Sequence, residues 1–201
     1  DATQQHKFNF SGDAHINTSE SKFGGSAVKF DGDGDSLSIP NSADFAFGTG
    51  DFTLDFWVFL ELSSGGEKVF FGNFPIHSGS GRANKIGVGM HFTLPSEGNF
   101  YYMVDGAVKS FAWNPDSRKW YHMAVVRTSG NTIVYKNGVS IWDSSDSGNI
   151  TSSDSFKIGA SSDGSSRPMN GSLDEIRISN VSRWTANFIP PAREYPLYAP
   201  A

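Results

Sequence analysis

The side chains in this chain whose type and spacing could do chemistry are carboxylates, and the chemistry they suggest is capture of a hard cation. Near the C-terminal end, Gly171 to Ser179 reads G-S-L-D-E-I-R-I-S, with the alternation of a half-buried strand. Counting by two puts Asp174 on the face of Ile176 and Ile178, with Leu173, Glu175 and Arg177 on the other. A carboxylate on the core side of a sheet is costly unless it is paired. Its partner is then a buried basic group, a set of backbone N–H donors, or a metal ion. A hard cation leads these; the plain alternative is a carboxylate at the strand's start that bonds a neighbouring loop. A second acidic stretch, D-G-D-G-D, runs from Asp31 to Asp35. It opens as an EF-hand loop does, but Ser36 and Ser42 stand where that loop needs glycine and a bidentate acid. Asp and Gly also suit a hairpin turn for conformational reasons alone.

Other reaction centres find no support. His6, His15, His77, His91 and His122 lack H-x-x-x-H or H-E-x-x-H spacing. There is no G-x-S-x-G elbow, and the glycine pairs do not precede helices. With Cys 0, disulfides, thiolate metal sites and cysteine nucleophiles are excluded.

The elements that must position these groups read as strands. Phe52 to Leu60, F-T-L-D-F-W-V-F-L, is the strongest, with Phe52, Leu54, Phe56, Val58 and Leu60 on one face. Trp57 and Phe59 make its second half apolar on both faces, as for a central strand covered on each side. A-V-K-F and S-L-S-I-P flank the acidic loop. Trp120 to Thr128 and Thr132 to Lys136 form a pair, and Asn137–Gly138 is the best hairpin signal, with another at Asp105–Gly106. From Val181 on, W-T-A-N-F-I-P-P reads as a strap over the sheet and then a linker, from about residue 185. Short strands at regular spacing, without a convincing helix, predict an all-β, two-sheet antiparallel sandwich or jelly roll, one domain over residues 1–201. Net charge −5 argues against nucleic acid and anionic membranes, and no apolar run spans a bilayer. The start, D-A-T-Q-Q-H, has no signal-peptide pattern, as a mature secreted chain would also read.

Five segments in order, F-D-G-D-G-D-S-L-S-I-P, D-F-T-L-D-F-W-V, W-Y-H-M-A-V-V-R, Y-K-N-G-V and G-S-L-D-E-I-R-I-S, resemble the concanavalin A-like lectin/glucanase superfamily. The nearest branch is the LamG-like, pentraxin-related jelly rolls, over about Phe8 to Pro191. The ending R-W-T-A-N-F-I-P-P resembles versions in phage structural and bacterial surface proteins. The resemblance implies a calcium ion at the sandwich edge, held by Asp174 with carbonyls near Asp13 and from Asp31, Gly32, Asp33 and Gly34. It also implies that a glucanase would carry E-x-D-x-E or E-x-D-x-x-E on one strand, with acid and nucleophile about 5–5.5 Å apart. Neither Asp55 to Glu61 nor L-D-E-I-R-I has that spacing, so no catalytic residues are expected, and His122 reads as structural.

Glycan sites combine exposed aromatic rings with a few placed polar groups. Tyr101, Tyr102, Trp113 and Trp142, near turns or strand ends, are the candidates, with Arg82 and Asn84 in one loop and Asp163 and Arg167 in another. Trp57 and Trp120 read as core, and Trp184 as the anchor of the strap. The function expected is a non-catalytic recognition or adhesion module with a structural calcium ion, outside the cell or on a virion. Its partner is a glycan or cell-surface polysaccharide. The alternatives are a structural domain contacting other virion or surface proteins, and an unusual glycoside hydrolase or lyase.

Overall fold

A computed structural model describes residues 6–62, 65–73, 83–94, 97–151, 154–161 and 167–196. Among these, two antiparallel sheets of seven strands face each other. The front sheet runs β1 (Asn9–Ser11), β4 (Ser36–Ile39), β13 (Phe156–Ile158), β6 (Gly66–Gly72), β7 (Ile86–Leu94), β8 (Glu97–Val104), β9 (Ala107–Ala112). The back sheet runs β12 (Val139–Ser145), β11 (Asn131–Lys136), β10 (Trp120–Thr128), β5 (Phe52–Leu60), β14 (Asn170–Ser179), β3 (Ala27–Asp31), β2 (His15–Asn17). This is the all-β sandwich that the strand pattern predicts. The helical element among the described residues is a 3-10 turn at Ala43–Phe45.

Alternation builds the core. Phe52, Leu54, Phe56, Val58 and Leu60 of β5 turn inward with Tyr121, Met123 and Val125 of β10. They meet Ile86, Val88, Met90, Phe100, Tyr102 and Val104 of the front sheet. Each of these side chains removes apolar surface from water, worth about 1.5–3 kcal/mol when complete. Arg127 also points inward, at one end. Its guanidinium donates to the carbonyls of Gly50, Gly148 and Gly48, each at 2.7 Å, and lies 3.8 Å from Asp146. A buried cation is tolerable only with such partners.

Two hairpins follow their turn residues. Asp105–Gly106 (φ 47° and 81°) joins β8 to β9, and Asn137–Gly138 (φ 50° and 79°) joins β11 to β12, the left-handed pair such turns require. The Asp31–Asp35 loop is not the hairpin turn that its Asp and Gly content also suits. β3 lies in the back sheet and β4 in the front, so the loop is a corner between sheets. Asp35 ties it: one carboxylate oxygen accepts from Asp13 N (2.6 Å), the other from Asp31 N (2.8 Å).

The segment after β14 covers the outward face of the back sheet. Trp184 and Phe188 stack at 3.9 Å and pack on Ala124, Val126, Ile133 and Tyr135. Phe188 N donates to Gly138 O (2.9 Å). Gly138 must remain glycine here, because a Cβ would stand 1.9 Å from the Phe188 carbonyl oxygen.

Candidate functional site

Asp174 does not share the face of Ile176 and Ile178. It pairs with Trp57, on the outward side, while Leu173 pairs with Val58, on the core side. A bulge between Asp174 and Arg177, with Glu175 at φ 49°, shifts the register. Leu173, Ile176 and Ile178 therefore all reach the core, and the strict period-two count fails at the extra residue. The buried Asp174 carboxylate is satisfied by backbone. One oxygen accepts from Lys22 N (2.8 Å) and Phe23 N (3.0 Å), the other from Glu175 N (2.8 Å). Of the partners the sequence allows, backbone donors are present.

Those groups do not form one calcium site with the acidic corner. Leu173 faces Val28 and Asn170 faces Asp31, so Asp174 and Asp31 stand about four residues apart along β3. That is about 13 Å at ~3.3 Å per residue, where a single ion needs six to eight oxygens at about 2.3–2.6 Å. Asp31 Oδ1 accepts from Asp33 N (2.8 Å), and Asp13 donates its N–H to Asp35 while its carbonyl oxygen stands 2.7 Å from His15 Nδ1. Among the described residues no group of three or more His, Cys, Asp or Glu is placed to hold a metal. Gly32 and Gly34 shape the corner, at φ 89° and 75°.

The aromatic candidates divide. Tyr102 (1% exposed) is a core residue whose hydroxyl donates to Asp146 at 2.6 Å. Burial, then the neighbouring Asp146 charge, pushes that phenol well up. Trp113 (6% exposed) packs edge-on against Tyr121. Tyr101 (6% exposed) lies across Gly89, where a Cβ would come within 2.5 Å of its hydroxyl. Burial removes all three from the role of exposed stacking platforms. Trp142 stays half-exposed, stacked on Phe111 at 5.6 Å. Asn84 donates its N–H to Asp105 (2.6 Å) and accepts from Thr151 N through its carbonyl (3.1 Å), a turn role. Arg82 and Asp163 lie outside the described residues. Trp57 is buried, yet on the outward face against Phe23 and His122. Trp120, expected in the core, is half-exposed beside Phe59.

Strand register assembles a different polar row on the outward face of the front sheet. Glu67 pairs with His91, and His91 with Asn99, placing three polar side chains next to one another across β6, β7 and β8. Their neighbours in the sheet stand about 4.8 Å apart. His91 and Asn99 are exposed, and Arg167 Nε holds Glu67 at 2.5 Å. In the next row Gly89 pairs with Tyr101 and Tyr101 with exposed Ser110. Among the front-sheet residues whose side chains are described, Glu67 is the one carboxylate. The row offers donors and acceptors without an acid–nucleophile pair.

The back sheet's outward face holds a buried ionic cluster. Asp55 takes a two-pronged contact from Arg177 Nε and Nη2, both at 3.0 Å, and the Tyr195 hydroxyl donates to the same carboxylate. His122 Nε2 stands 3.5 Å from Asp55, its ring edge-on to Trp57, Trp184 and Phe188. Burial, then the Asp55 charge, raises the Tyr195 phenol far above its ordinary value. Tyr195 N also donates to Glu175 (2.5 Å), and the Arg177 guanidinium lies 3.8 Å from the Tyr195 ring centre. The cluster fastens the strap, and the buried His122 ring packs beside it.

Residues 31–186 match the family model described as the concanavalin A-like lectin/glucanases superfamily. The chain belongs to that superfamily. Its jelly roll is similar to domain 4 of an extracellular arabinanase from Geobacillus stearothermophilus, solved with arabinotriose (TM-score 0.60, 16% identity, 88% of this chain and 82% of that one). It is similar to the binding domain of botulinum neurotoxin serotype D (0.63, 12%, 88% and 43%). A third similar fold lies in the enzymatically active domain of tailspike protein 2 of bacteriophage CBA120 (0.66, 14%, 87% and 28%). The chain thus spans less than half of the latter two, and at these identities the likeness concerns the fold. No curated protein is significantly similar in sequence. Within the superfamily fold, the row of Glu67, His91 and Asn99 was not readable beforehand. Alternation in each strand gives the outward faces, but only the register between strands makes the three neighbours.

Proposed function

We propose that this chain is a non-catalytic recognition or adhesion module that binds glycan on the outward face of its front sheet. The observation that carries the reading is the in-register row Glu67–His91–Asn99, with Arg167 and Ser110 at its sides. A few placed polar groups on a rigid scaffold fix the orientation of a polyhydroxylated ligand. The opposite face of the sandwich is covered by the strap, which leaves this one for a partner. Glu67 is engaged by Arg167, and hydrolysis requires a second carboxylate about 5–9.5 Å away. Domain 4 of the arabinanase, solved with arabinotriose, supports the ligand class. A place outside the cell, or on a virion, follows from that class.

Calcium enters this reading in a reduced form, confined to exposed Asp31 and Asp33 and independent of Asp174. The likeness to the enzymatically active domain of a phage tailspike favours an unusual glycoside hydrolase as the second reading, and a virion domain that contacts other proteins is the third. The test is a glycan array of the purified chain, run with calcium and again with chelator, beside a reducing-sugar assay on the polysaccharides bound. Binding in both conditions without sugar release supports the module. Binding with release makes it a hydrolase, and no binding in either condition turns the assignment to assembly.

A further inference from the structure

The two side edges of the sandwich are closed differently. At the β9/β12 edge, Phe111 stacks on Trp142, and Lys109 Nζ donates to Ser144 Oγ at 2.9 Å and to the Ser145 carbonyl. At the β1/β2 edge a cavity of about 430 Å³ lies between the sheets. Its walls include Leu37, Ile39 and Ile158 from the front sheet and Val28, Ile176 and Ile178 from the back. Phe10 (47% exposed) and Ile16 (53% exposed) stand at its opening.

The bulge in β14 makes this space. Pairing with β3 ends at Leu173, and the extra residue then turns Ile176 and Ile178 inward beyond that end. Protein interiors seldom keep voids larger than a water molecule, and an apolar cavity stays dry and accepts apolar ligands. Small-molecule pockets run from about 300 to 1,000 Å³, apolar with a few converging polar groups. Here the polar groups, Asp44 and His6, are at the rim. Asp44 Oδ2 accepts from Ser42 Oγ and faces His6 Nε2, both at 2.9 Å, and the His6 ring lies 5.2 Å from Phe45.

We propose that this cavity binds a small lipophilic molecule with one cationic or hydrogen-bond-donating head group, its body between the sheets and its head on Asp44. The size and apolar walls select the body. The rim carboxylate selects the head and disfavours an anionic one. The site is separate from the Glu67–His91–Asn99 row, so it stands or falls independently of glycan binding.

The test uses the full chain with N-phenyl-1-naphthylamine as fluorescent reporter, displaced by dodecylamine or by dodecanoate. The expected result is saturable uptake of one reporter per chain, with dodecylamine displacing it at a concentration at least tenfold below dodecanoate. Asp44→Asn should shrink that preference below threefold and leave reporter uptake intact. Val28→Phe should abolish uptake by filling the cavity. Should that variant not fold, Ile16→Asp at the exposed opening should weaken uptake at least tenfold. Absence of saturable uptake, or uptake unchanged in Ile16→Asp, overturns the proposal. So does sedimentation showing a dimer that Ile16→Asp dissociates, since a second copy would then cover the opening.

Discussion

Replacing Asp55 with alanine should unfasten the strap and cost about 3–5 kcal/mol, the range for breaking a buried ion pair by removing one partner. The carboxylate is fully buried, receives two contacts of 3.0 Å from Arg177, and accepts from the Tyr195 hydroxyl. For a chain of 150–250 residues each kcal/mol moves the thermal midpoint by about 2–4 °C, so Asp55→Ala should lower it by roughly 6–20 °C. Tyr195→Phe removes one hydrogen bond to a charged group, about 1.5–3 kcal/mol. The hydroxyl and the carboxylate meet directly, so the double variant should cost at least about 1 kcal/mol less than the sum of the singles. Urea unfolding followed by tryptophan fluorescence measures this, since Trp184 sits in the strap against His122 and Phe188. A loss below about 1 kcal/mol for Asp55→Ala, or additivity within about 0.5 kcal/mol, would refute the latch.

Further outcomes follow from other contacts. Asp174→Ala should lower the midpoint by the same amount with calcium and with chelator, because it deprives three backbone N–H groups of their acceptor; a loss seen only with calcium would restore the ion to Asp174. Gly138→Ala should expose the strap to limited proteolysis, since its Cβ collides with the Phe188 carbonyl, and unchanged cleavage would contradict that fit. Burial, followed by the neighbouring Tyr195 N–H acting the other way, leaves the Glu175 carboxyl raised. A raised folded pKa means that the folded state binds the extra proton, so stability falls as pH rises from the ordinary carboxyl value through the folded one. Glu175→Gln should therefore match or exceed the parent midpoint at pH 7 and lose that advantage near pH 4. A variant less stable at pH 7 than the parent would reverse the sign.

Much of the fold was legible because strand patterning is local. F-T-L-D-F-W-V-F-L put Phe52, Leu54, Phe56, Val58 and Leu60 on the core face, and Asn137–Gly138 made its hairpin. Legibility ended where one residue breaks the count. The extra residue in β14 put Asp174 on the outward face, where its buried carboxylate takes three backbone N–H groups as partners. The acidic corner misled similarly, since glycine-rich turns serve hairpins and sheet-to-sheet corners alike. Asp55, Arg177 and Tyr195 are remote in sequence, and no spacing rule links them. Residue type alone marks Tyr101, Tyr102 and Trp113 as candidates, whereas burial depends on which face the pairing presents. The same dependence hid His91 and Asn99.

The central claim is that glycan binds the row on the front sheet. Its most direct test is to follow backbone amide shifts of the labelled chain while adding the best glycan from the array, for the parent and for His91→Ala with Asn99→Ala. Shifts should concentrate at Glu67, His91, Asn99 and Ser110, and affinity should be at least tenfold weaker in the double variant, with its midpoint within about 2 °C of the parent. Shifts centred on the Asp31–Asp35 corner or on Trp142, with full affinity retained by the double variant, would contradict it.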